Sequence, residues 1–276
     1  MAAISLTAQM TTNLLSLQNT AKLMGITQDH LATGKKVNSA IDDPVAFFDA
    51  DAHYQLASDY ATFKNGMSEA VQTIKAATDT IESIKSLLQQ MKSLATSAKS
   101  STTQAETAEL VSQFNELRNQ LDDLADDAIY KGVNLLQSDT LNVVFNVDGD
   151  DLAVDGFNAH ASGLTLSAQV TASWCGAGGT VNATPINSAI DAIDDAIDTL
   201  RAEAKSLANN LGIVTTRQTF TDKMIATLKI GGDNLTLADM NEEGANMLML
   251  QTRQALGIQS LSMASQSAQQ VLSLFQ

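Results

Sequence analysis

The stretch MSEAVQTIKAATDTIESIKSLLQQMKSLATSA, residues 67–98, decides the fold of this protein. Its apolar residues recur at steps of three and four positions, which is the spacing of one face of an α-helix. They are Met67, Ala70, Val71, Ile74, Ala77, Ile81, Ile84, Leu87, Leu88, Met91, Leu94, Ala95 and Ala98. The only prolines are Pro44 and Pro185, so long uninterrupted helices are permitted on both sides of the second one. We therefore predict a long helix with one apolar stripe.

A second helix is predicted directly after the first. The stretch SSTTQAE, from Ser100, consists of residue types that cap helices and interrupts the first stripe. A new stripe then runs through Leu110, Phe114, Leu117, Leu121, Leu124 and Ala128. The pattern indicates two antiparallel helices joined by a short turn.

The pattern changes between Leu141 and Thr184. LNVVFNVDGDDLAV and LTLSAQVTAS alternate apolar and polar residues and are separated by Gly, Asn and Asp, which predicts short strands and turns. The acidic run DGDD, from Asp148, lacks the glycine and the final glutamate of a calcium-binding loop, so a turn between strands is expected there. We expect a small β-rich surface insertion.

Helical spacing resumes after Pro185. Its stripe runs through Ile190, Ile193, Ile197, Leu200, Leu207 and Leu211. Gly231 and Gly232 are followed by capping residues, which predicts a joint near Gly231 and a final helix from about Asp239. The fold class predicted from these patterns is mainly α: an elongated antiparallel helical rod with helical ends and a small β-rich insertion.

Composition excludes several classes of function. Aromatic residues make up 4% of the chain and the formal net charge is -15, with no cluster of Lys or Arg. Binding to nucleic acid or to an anionic membrane is therefore disfavoured. No run of about 18 apolar residues predicts a membrane-spanning helix. The N-terminal sequence has no cleavable secretory signal, so composition alone indicates a cytoplasmic protein.

No constellation for catalysis, metal binding or cofactor binding is predicted. His30, His53 and His160 lie far apart in sequence, without the His-Glu-x-x-His spacing of a zinc site. Cys175 is the only cysteine and is expected to be a small, partly covered loop residue. Gly231 and its neighbour lack the Lys-Ser/Thr of a phosphate-binding loop. The sequence therefore predicts a protein that is not an enzyme and uses no cofactor.

Four segments resemble one known family. LATGKKVNSAIDDP from Leu31, YKGVNLL from Tyr130, LANNLGIVTTRQTF from Leu207 and ADMNEEGANMLMLQTRQALGIQSLSMASQSAQQVLSLF from Ala238 are similar to motifs of bacterial flagellins. They stand in the family's order and frame nearly the whole chain outside residues 141–185. The short middle segment implies that the large outer domains of longer flagellins are absent.

The resemblance implies a domain plan. Residues 1–40 and 237–276 are the two helices of an inner, filament-core domain, paired as a coiled coil. Residues 41–140, which include the hairpin entry, and 186–236 form the helical rod domain, and residues 141–185 form the surface insertion.

The resemblance also implies a structural subunit that polymerises with identical or related subunits into the flagellar filament for swimming motility. Its expected partners are the flagellar export apparatus and its chaperone, and the hook-associated junction and cap proteins; binding to nucleic acid and insertion into membranes are not expected. Its expected location is extracellular, because flagellins leave through the flagellum's own export channel.

Two groups of residues carry the expected contacts. The first group, on the terminal stripes, is expected to form the interface between subunits: Leu14, Leu17, Leu248, Leu256, Leu261, Val271, Leu272 and Phe275. The second group is the region that resembles the contact surface for the innate immune flagellin receptor: Gln90, Leu94 and Gln113. Stimulatory flagellins carry Arg and Glu at the positions of Gln90 and Gln113, so weak stimulation of that receptor is expected.

Two alternatives remain open at this point. Asp42, Asp43 and Pro44 are closer to the hook-filament junction protein than to many flagellins. A soluble coiled-coil scaffold would share the periodicity and the acidity, but it would not need the insertion at the midpoint.

Overall fold

The computed structural model describes residues 8–176 and 179–273. These residues form six helices and one two-stranded sheet. The helices are α1 (Ala8–Thr33), α2 (Pro44–Ala98), α3 (Gln104–Asp127), α4 (Thr171–Trp174), α5 (Ala183–Thr236) and α6 (Met240–Ser273), and the strands are β1 (Thr140–Val144) and β2 (Asp151–Asp155). The prediction of a mainly α fold is confirmed. Within the described residues, none of the helices combines the length and the apolar character that crossing a membrane requires.

The chain divides into two compact units. Residues 1–56 and 227–276 form the first, called here the terminal unit, and residues 57–226 form the second, called here the central unit. Helices α1 and α6 belong to the terminal unit, and α3, α4 and both strands belong to the central unit.

The core of the central unit is built on a seven-residue repeat. On α2 the side chains of Met67, Ile74, Ile81 and Leu88 are each fully buried, and Ala70, Ala77, Ile84 and Met91 fill the positions between them. On α5 the buried residues follow the same interval: Ile186, Ile193, Leu200, Leu207 and Val214. A seven-residue repeat of apolar side chains keeps one narrow stripe facing the neighbouring helix, as in coiled coils. The helical stripes predicted from the sequence are therefore the buried faces.

The turn between α2 and α3 is closed by its own hydroxyl groups. Thr103 caps α3, and its side chain accepts a hydrogen bond from the backbone N–H of Glu106 at 3.2 Å. The hydroxyls of Ser101 and Thr107, both buried, lie 2.6 Å apart. The predicted interruption of the stripe after Ser100 is confirmed, because these caps satisfy backbone groups that a helix start leaves unpaired.

One of the two predicted strand regions is correct. β1 and β2 form an antiparallel hairpin, and the acidic run from Asp148 is its turn, with Gly149 at a φ of 88°. The prediction of strands in LTLSAQVTAS is wrong: Thr165 adopts a left-handed φ of 58°, and the segment ends in the short helix α4.

Side chains of α3 explain this difference, because they take the place of a neighbouring strand. Asn115 donates to the carbonyl oxygen of Gln169 at 2.8 Å and accepts from its N–H at 2.9 Å. Arg118 donates through Nε to the carbonyl oxygen of Leu166 at 3.0 Å. Polar backbone groups near a core must find partners, and here helix side chains supply them.

Two smaller predictions are also wrong. No joint occurs at Gly231, since α5 continues to Thr236. The next residue, Gly232, instead allows close packing: an added Cβ there would lie 2.8 Å from Cζ of Tyr54. Cys175 is not partly covered but buried, with 1% of its surface exposed.

Trp174, the residue before this cysteine, anchors the middle segment in the core. It is fully buried and packs edge-on against Phe114, with ring centroids 5.3 Å apart. Its indole N–H donates to Oε1 of Gln169 at 2.9 Å. The segment between the hairpin and α5 therefore contributes a large apolar side chain to the central core.

Asn134, within the YKGVNLL motif, joins the end of α3 to the turn that follows it. Its side-chain amide donates to the carbonyl oxygens of Ala125 at 2.7 Å and Asp126 at 3.2 Å, and its Oδ1 accepts from the N–H of Leu136 at 2.9 Å. Its own N–H donates to Oδ2 of Asp139 at 2.8 Å. With only 2% of its surface exposed, this residue satisfies helix-end carbonyls that water cannot reach.

We expect Asn134→Ala to lower the free energy of unfolding by about 1–3 kcal/mol, because it leaves buried backbone groups without partners. The measurement is chemical denaturation followed by circular dichroism. Asn142→Ala, at an exposed position of β1, is the matched control and should change stability by less than about 0.5 kcal/mol. Equal losses in both variants would contradict the role assigned to Asn134.

Candidate functional site

Helices α1 and α6 pack against each other in antiparallel directions within the terminal unit. Near one end of the pair, the amide of Asn13 donates to Oγ of Ser260 at 3.4 Å. Near the other end, Nδ1 of His30 lies 2.7 Å from Oε1 of Glu243, and both side chains are mostly buried. The beginning of α1 thus meets the later part of α6. The pairing of the two terminal helices that the family resemblance implied is present within one chain.

The contact surface between these helices is called here the inner seam. Its residues are buried or half-buried, and they recur at steps of three and four positions, the spacing of a coiled coil. On α1 they are Met10, Asn13, Leu17, Thr20, Met24, Thr27 and Leu31, and on α6 they are Leu250, Gln254, Gly257, Leu261, Ala264 and Ala268. Met and Leu residues alternate in this seam with small and polar residues.

Gly257 allows the closest approach in the inner seam. A Cβ added at this residue would lie 2.6 Å from Cδ2 and 3.1 Å from Cγ of Leu17. Leu17 therefore packs into a notch that any larger residue at position 257 would partly fill.

The opposite faces of α1 and α6 expose large apolar side chains. Leu15 is 61% exposed, and Leu248 and Leu256 are each 67% exposed. Residues 1–21 and 254–276 contain no Asp, Glu, Lys or Arg. Leu15 and Leu256 lie in these charge-free segments, and contiguous exposed apolar patches mark surfaces that bind another macromolecule. The outward faces of the terminal helices are therefore the candidate assembly surface.

The structure distributes the residues expected at the subunit interface over both faces. Leu17 and Leu261 lie in the inner seam, whereas Leu14, Leu248 and Leu256 are exposed. Val271 and Leu272 lie at the end of α6, where the structure describes the backbone. Phe275 lies outside the described residues.

The three residues of the expected receptor-contact region come together in the central unit. Gln90, Leu94 and Gln113 line one groove between α2 and α3, with a volume of about 670 Å³. Leu94 and Leu117 are half-buried in this groove, and the two glutamines are exposed. The groove thus has an apolar floor, with amide side chains and the carboxylate of Glu116 at its rim.

Asp42 and Asp43, in the loop before α2, have structural roles that the sequence did not predict. The carboxylate of Asp42 accepts hydrogen bonds from the N–H groups of Asn38 at 3.0 Å and Ser39 at 2.9 Å. These bonds, first that from Asn38, hold the pKa of the Asp42 carboxyl below its ordinary value. Asp43 caps α2 by accepting from the N–H of Val45 at 3.0 Å. An Asp directly before a proline at a helix start is the sequence signal for such a cap.

The histidines pair with carboxylates at two places. His30 pairs with Glu243, as above, and His160 lies 3.6 Å from Asp122 and 3.4 Å from Asp126. Over residues 8–176 and 179–273, no three His, Cys, Asp or Glu side chains lie close enough together to hold a metal ion.

The paired terminal helices, with exposed leucines on their outward faces, define a class: mainly α proteins whose two helical ends pair within one chain. Comparison with known proteins identifies the family. Residues 4–140 match the protein family described as "Bacterial flagellin N-terminal helical region". Flagellin FljO of Caulobacter vibrioides is 30% identical over 268 residues, which cover 95% of this chain and 95% of that protein. The chain belongs to the flagellin family.

Other relatives match a shorter stretch. Flagellin FljK of Caulobacter vibrioides is 33% identical over 153 residues, covering 55% of this chain and 53% of that protein. The flagellin of Brucella melitensis is 32% identical over 156 residues, covering 54% and 55% respectively. The chain thus aligns with about half the length of these two relatives. The crystal structure of Bacillus cereus flagellin superposes with a TM-score of 0.44 and 17% identity, over 56% of this chain and 88% of that one.

Two glycine substitutions test the packing of the inner seam. Gly25→Ala, on α1 with open space around it, should stabilise its helix by about 1 kcal/mol, because alanine has the higher helix propensity. Gly257→Ala gains the same propensity but crowds Leu17, which we expect to cost about 1–3 kcal/mol.

Amide hydrogen exchange in α1 and α6 measures both effects. Exchange should slow in Gly25→Ala and should quicken or stay unchanged in Gly257→Ala. Equal slowing in the two variants would show that the notch at Gly257 is not needed for the pairing.

Proposed function

We propose that this protein is a structural subunit that polymerises into the bacterial flagellar filament and serves swimming motility, without enzymatic activity or a cofactor. The observation that carries the proposal is the set of exposed leucines on the outward faces of α1 and α6, among them Leu15, Leu248 and Leu256, in a chain of the flagellin family. Covering one exposed leucine or isoleucine contributes about 1.5–3 kcal/mol. Repetition of such contacts along a polymer offsets the entropy lost on assembly.

The distribution of charge supports assembly through the terminal helices. The formal net charge is -15, yet residues 1–21 and 254–276 carry no charged side chain. Subunits that pack through these segments avoid bringing their like charges into close contact. The acidic remainder keeps the unassembled protein soluble.

We infer the location and the further partners from the family. They are the extracellular filament, the flagellar export apparatus with its chaperone, and the hook-associated junction and cap proteins. We also propose that residues 1–40 and 237–276 form the filament-core domain. A relative that aligns over 95% of its length is a flagellin, which favours a filament subunit over a junction protein or a soluble scaffold.

Leu256→Asp tests the function. Leu256 is 67% exposed, so a charge there should leave the helix content of the monomer unchanged. In a polymer the same charge would be buried without a partner, at a cost of several kcal/mol (~2–5) per subunit, so filaments should be lost. Negative-stain electron microscopy after seeding, together with circular dichroism, checks both expectations.

The matched control is Val170→Asp in the central unit, where the replaced side chain is 59% exposed. This variant should form filaments like the unaltered protein. Normal filaments from Leu256→Asp would show that the terminal helices are not the assembly surface. An unaltered protein that never polymerises would overturn the proposed function itself.

We further propose that this protein stimulates the innate immune flagellin receptor weakly. The groove that contains Leu94 presents the neutral amides of Gln90 and Gln113 where the resemblance leads us to expect Arg and Glu. A charged contact missing from a buried interface costs roughly 2–5 kcal/mol.

Gln90→Arg should therefore raise receptor activation, by roughly tenfold or more if one such contact is restored. A cell-based receptor reporter measures the dose response. Gln89→Arg is the matched control, because it adds the same charge to an exposed neighbouring position that does not line the groove. Equal activation by both variants would point to a general effect of charge, and strong activation by the unaltered protein would contradict the proposal.

A further inference from the structure

Helix α6 carries three exposed apolar side chains at seven-residue intervals. Met249 is 52% exposed, Leu256 is 67% exposed and Met263 is 55% exposed. Seven residues make almost two turns of an α-helix, so successive members of this row lie within about 20° of each other around the axis. The two thioether side chains therefore flank Leu256, each about 10 Å from it along the helix. These three residues are called here the methionine stripe.

The other methionines of the chain are less exposed or lie elsewhere. Six of them are buried or half-buried: Met10, Met24, Met67, Met91, Met224 and Met247. Met67 and Met91 are fully buried in the core of the central unit. Met240, the first residue of α6, is 48% exposed, but nine residues place it about 180° from Met249 around the helix. Met1 lies outside the described residues.

An exposed thioether is open to oxidation by hydrogen peroxide. The peroxide transfers one oxygen atom to the sulfur: the O–O bond breaks, an S–O bond forms, and the remainder of the peroxide leaves as water. The sulfur loses two electrons and the peroxide gains them, so no further reactant is needed. The product, methionine sulfoxide, carries a strongly polar S=O group where the side chain was apolar.

We propose that Met249 and Met263 form a redox-sensitive modification site, at which oxidation by peroxide makes the methionine stripe polar and blocks assembly of the subunit. The inference rests on the proposed function, because it requires that Leu256 is covered in the filament. The substrate of the modification is the unassembled subunit, in which both sulfur atoms are open to water.

The position of Leu256 explains why oxidation beside it affects assembly. A surface that covers Leu256 also covers side chains seven residues away on the same face of the helix. In the unassembled subunit water can donate hydrogen bonds to a sulfoxide oxygen, but in a contact the oxygen loses these donors. Covering it without a new hydrogen bond should raise the subunit concentration needed for filaments by roughly tenfold for each sulfoxide.

Oxidation of the methionine stripe should leave the subunit itself folded. Met249 and Met263 are each about half exposed, so their sulfoxides remain hydrated on the surface of α6. Oxidation of Met67 would be different, because it would place a polar group in a core that offers it no water. Loss of filaments with unchanged helix content is therefore the expected result of modifying the stripe.

The modification is reversible, which gives the stripe a second class of partner. Methionine sulfoxide reductases return the sulfoxide to the thioether, and one enzyme is needed for each of the two epimers at sulfur. Both side chains lie on the surface of the unassembled subunit, where such an enzyme can reach them. Reduction should therefore restore a subunit that assembles.

Peroxide treatment of the full-length subunit before seeded polymerisation tests the proposal. Peptide mass spectrometry should find one added oxygen at Met249 and at Met263, and none at Met67 or Met91. Sedimentation should show that the treated subunit forms filaments only at a roughly tenfold higher concentration or more. Circular dichroism should show unchanged helix content, and treatment with reductases for both epimers should restore assembly.

Two sets of leucine substitutions identify the sulfur atoms that matter. The double variant Met249→Leu, Met263→Leu keeps the stripe apolar but cannot form a sulfoxide there, so it should polymerise equally well with and without peroxide. Met240→Leu is the matched control: it removes a similarly exposed sulfur from the opposite side of α6 and should stay sensitive. Thiol counting checks that Cys175, which is buried, does not react.

The outcomes separate this proposal from the proposed function. Normal assembly of the oxidised protein, no added oxygen at Met249 and Met263, or equal sensitivity of the double variant would overturn the modification site alone. If the double variant does not polymerise even without peroxide, the reductases decide, and failure to restore assembly of the oxidised unaltered protein would overturn the site. Failure of the untreated, unaltered protein to form filaments would overturn the proposed function, and the effect of oxidation on assembly with it.

Discussion

Narrow helical seams are the constraint on which this structure depends. With aromatic residues at 4% of the chain, a thick apolar core is not available, and burial must come from small and medium side chains in register. The seven-residue interval from Met67 to Leu88 on α2 and from Ile186 to Val214 on α5 provides this register. The buried stripe of each helix is narrow. An insertion or deletion that changed the seven-residue interval would therefore move several residues out of the core together.

In the central unit, polar side chains of α3 and the turn after it hold the backbone of the segment that is not helical. Asn115 and Arg118 of α3 hold the backbone of the middle segment, and Asn134 closes the end of the same helix. These contacts let a segment with one short hairpin pack against helices without forming a larger sheet. The buried Trp174 then supplies the apolar anchor that the surrounding polar bonds position.

The terminal unit has the same kind of seam between α1 and α6, but its outward faces also carry exposed leucines. Its inner seam mixes Met and Leu residues with small and polar residues such as Asn13, Thr20 and Gly257. Further leucines face outward, among them Leu15 and Leu256 in the segments without charge. Subunits that bind these exposed apolar faces would stabilise the folded chain, because anything that binds only the folded state shifts the equilibrium towards it.

The sequence alone determined the five long helices, the hairpin and the family, because periodic spacing and local motifs are properties of neighbouring residues. It also placed Leu248 and Leu256 on a helical terminal segment. It did not determine that LTLSAQVTAS lacks strands, because that outcome depends on Asn115, about fifty residues away in the chain. Nor could it separate Leu17, which packs on Gly257, from the exposed Leu15: both are leucines on one helix, and only the position of the partner helix decides which of them is covered.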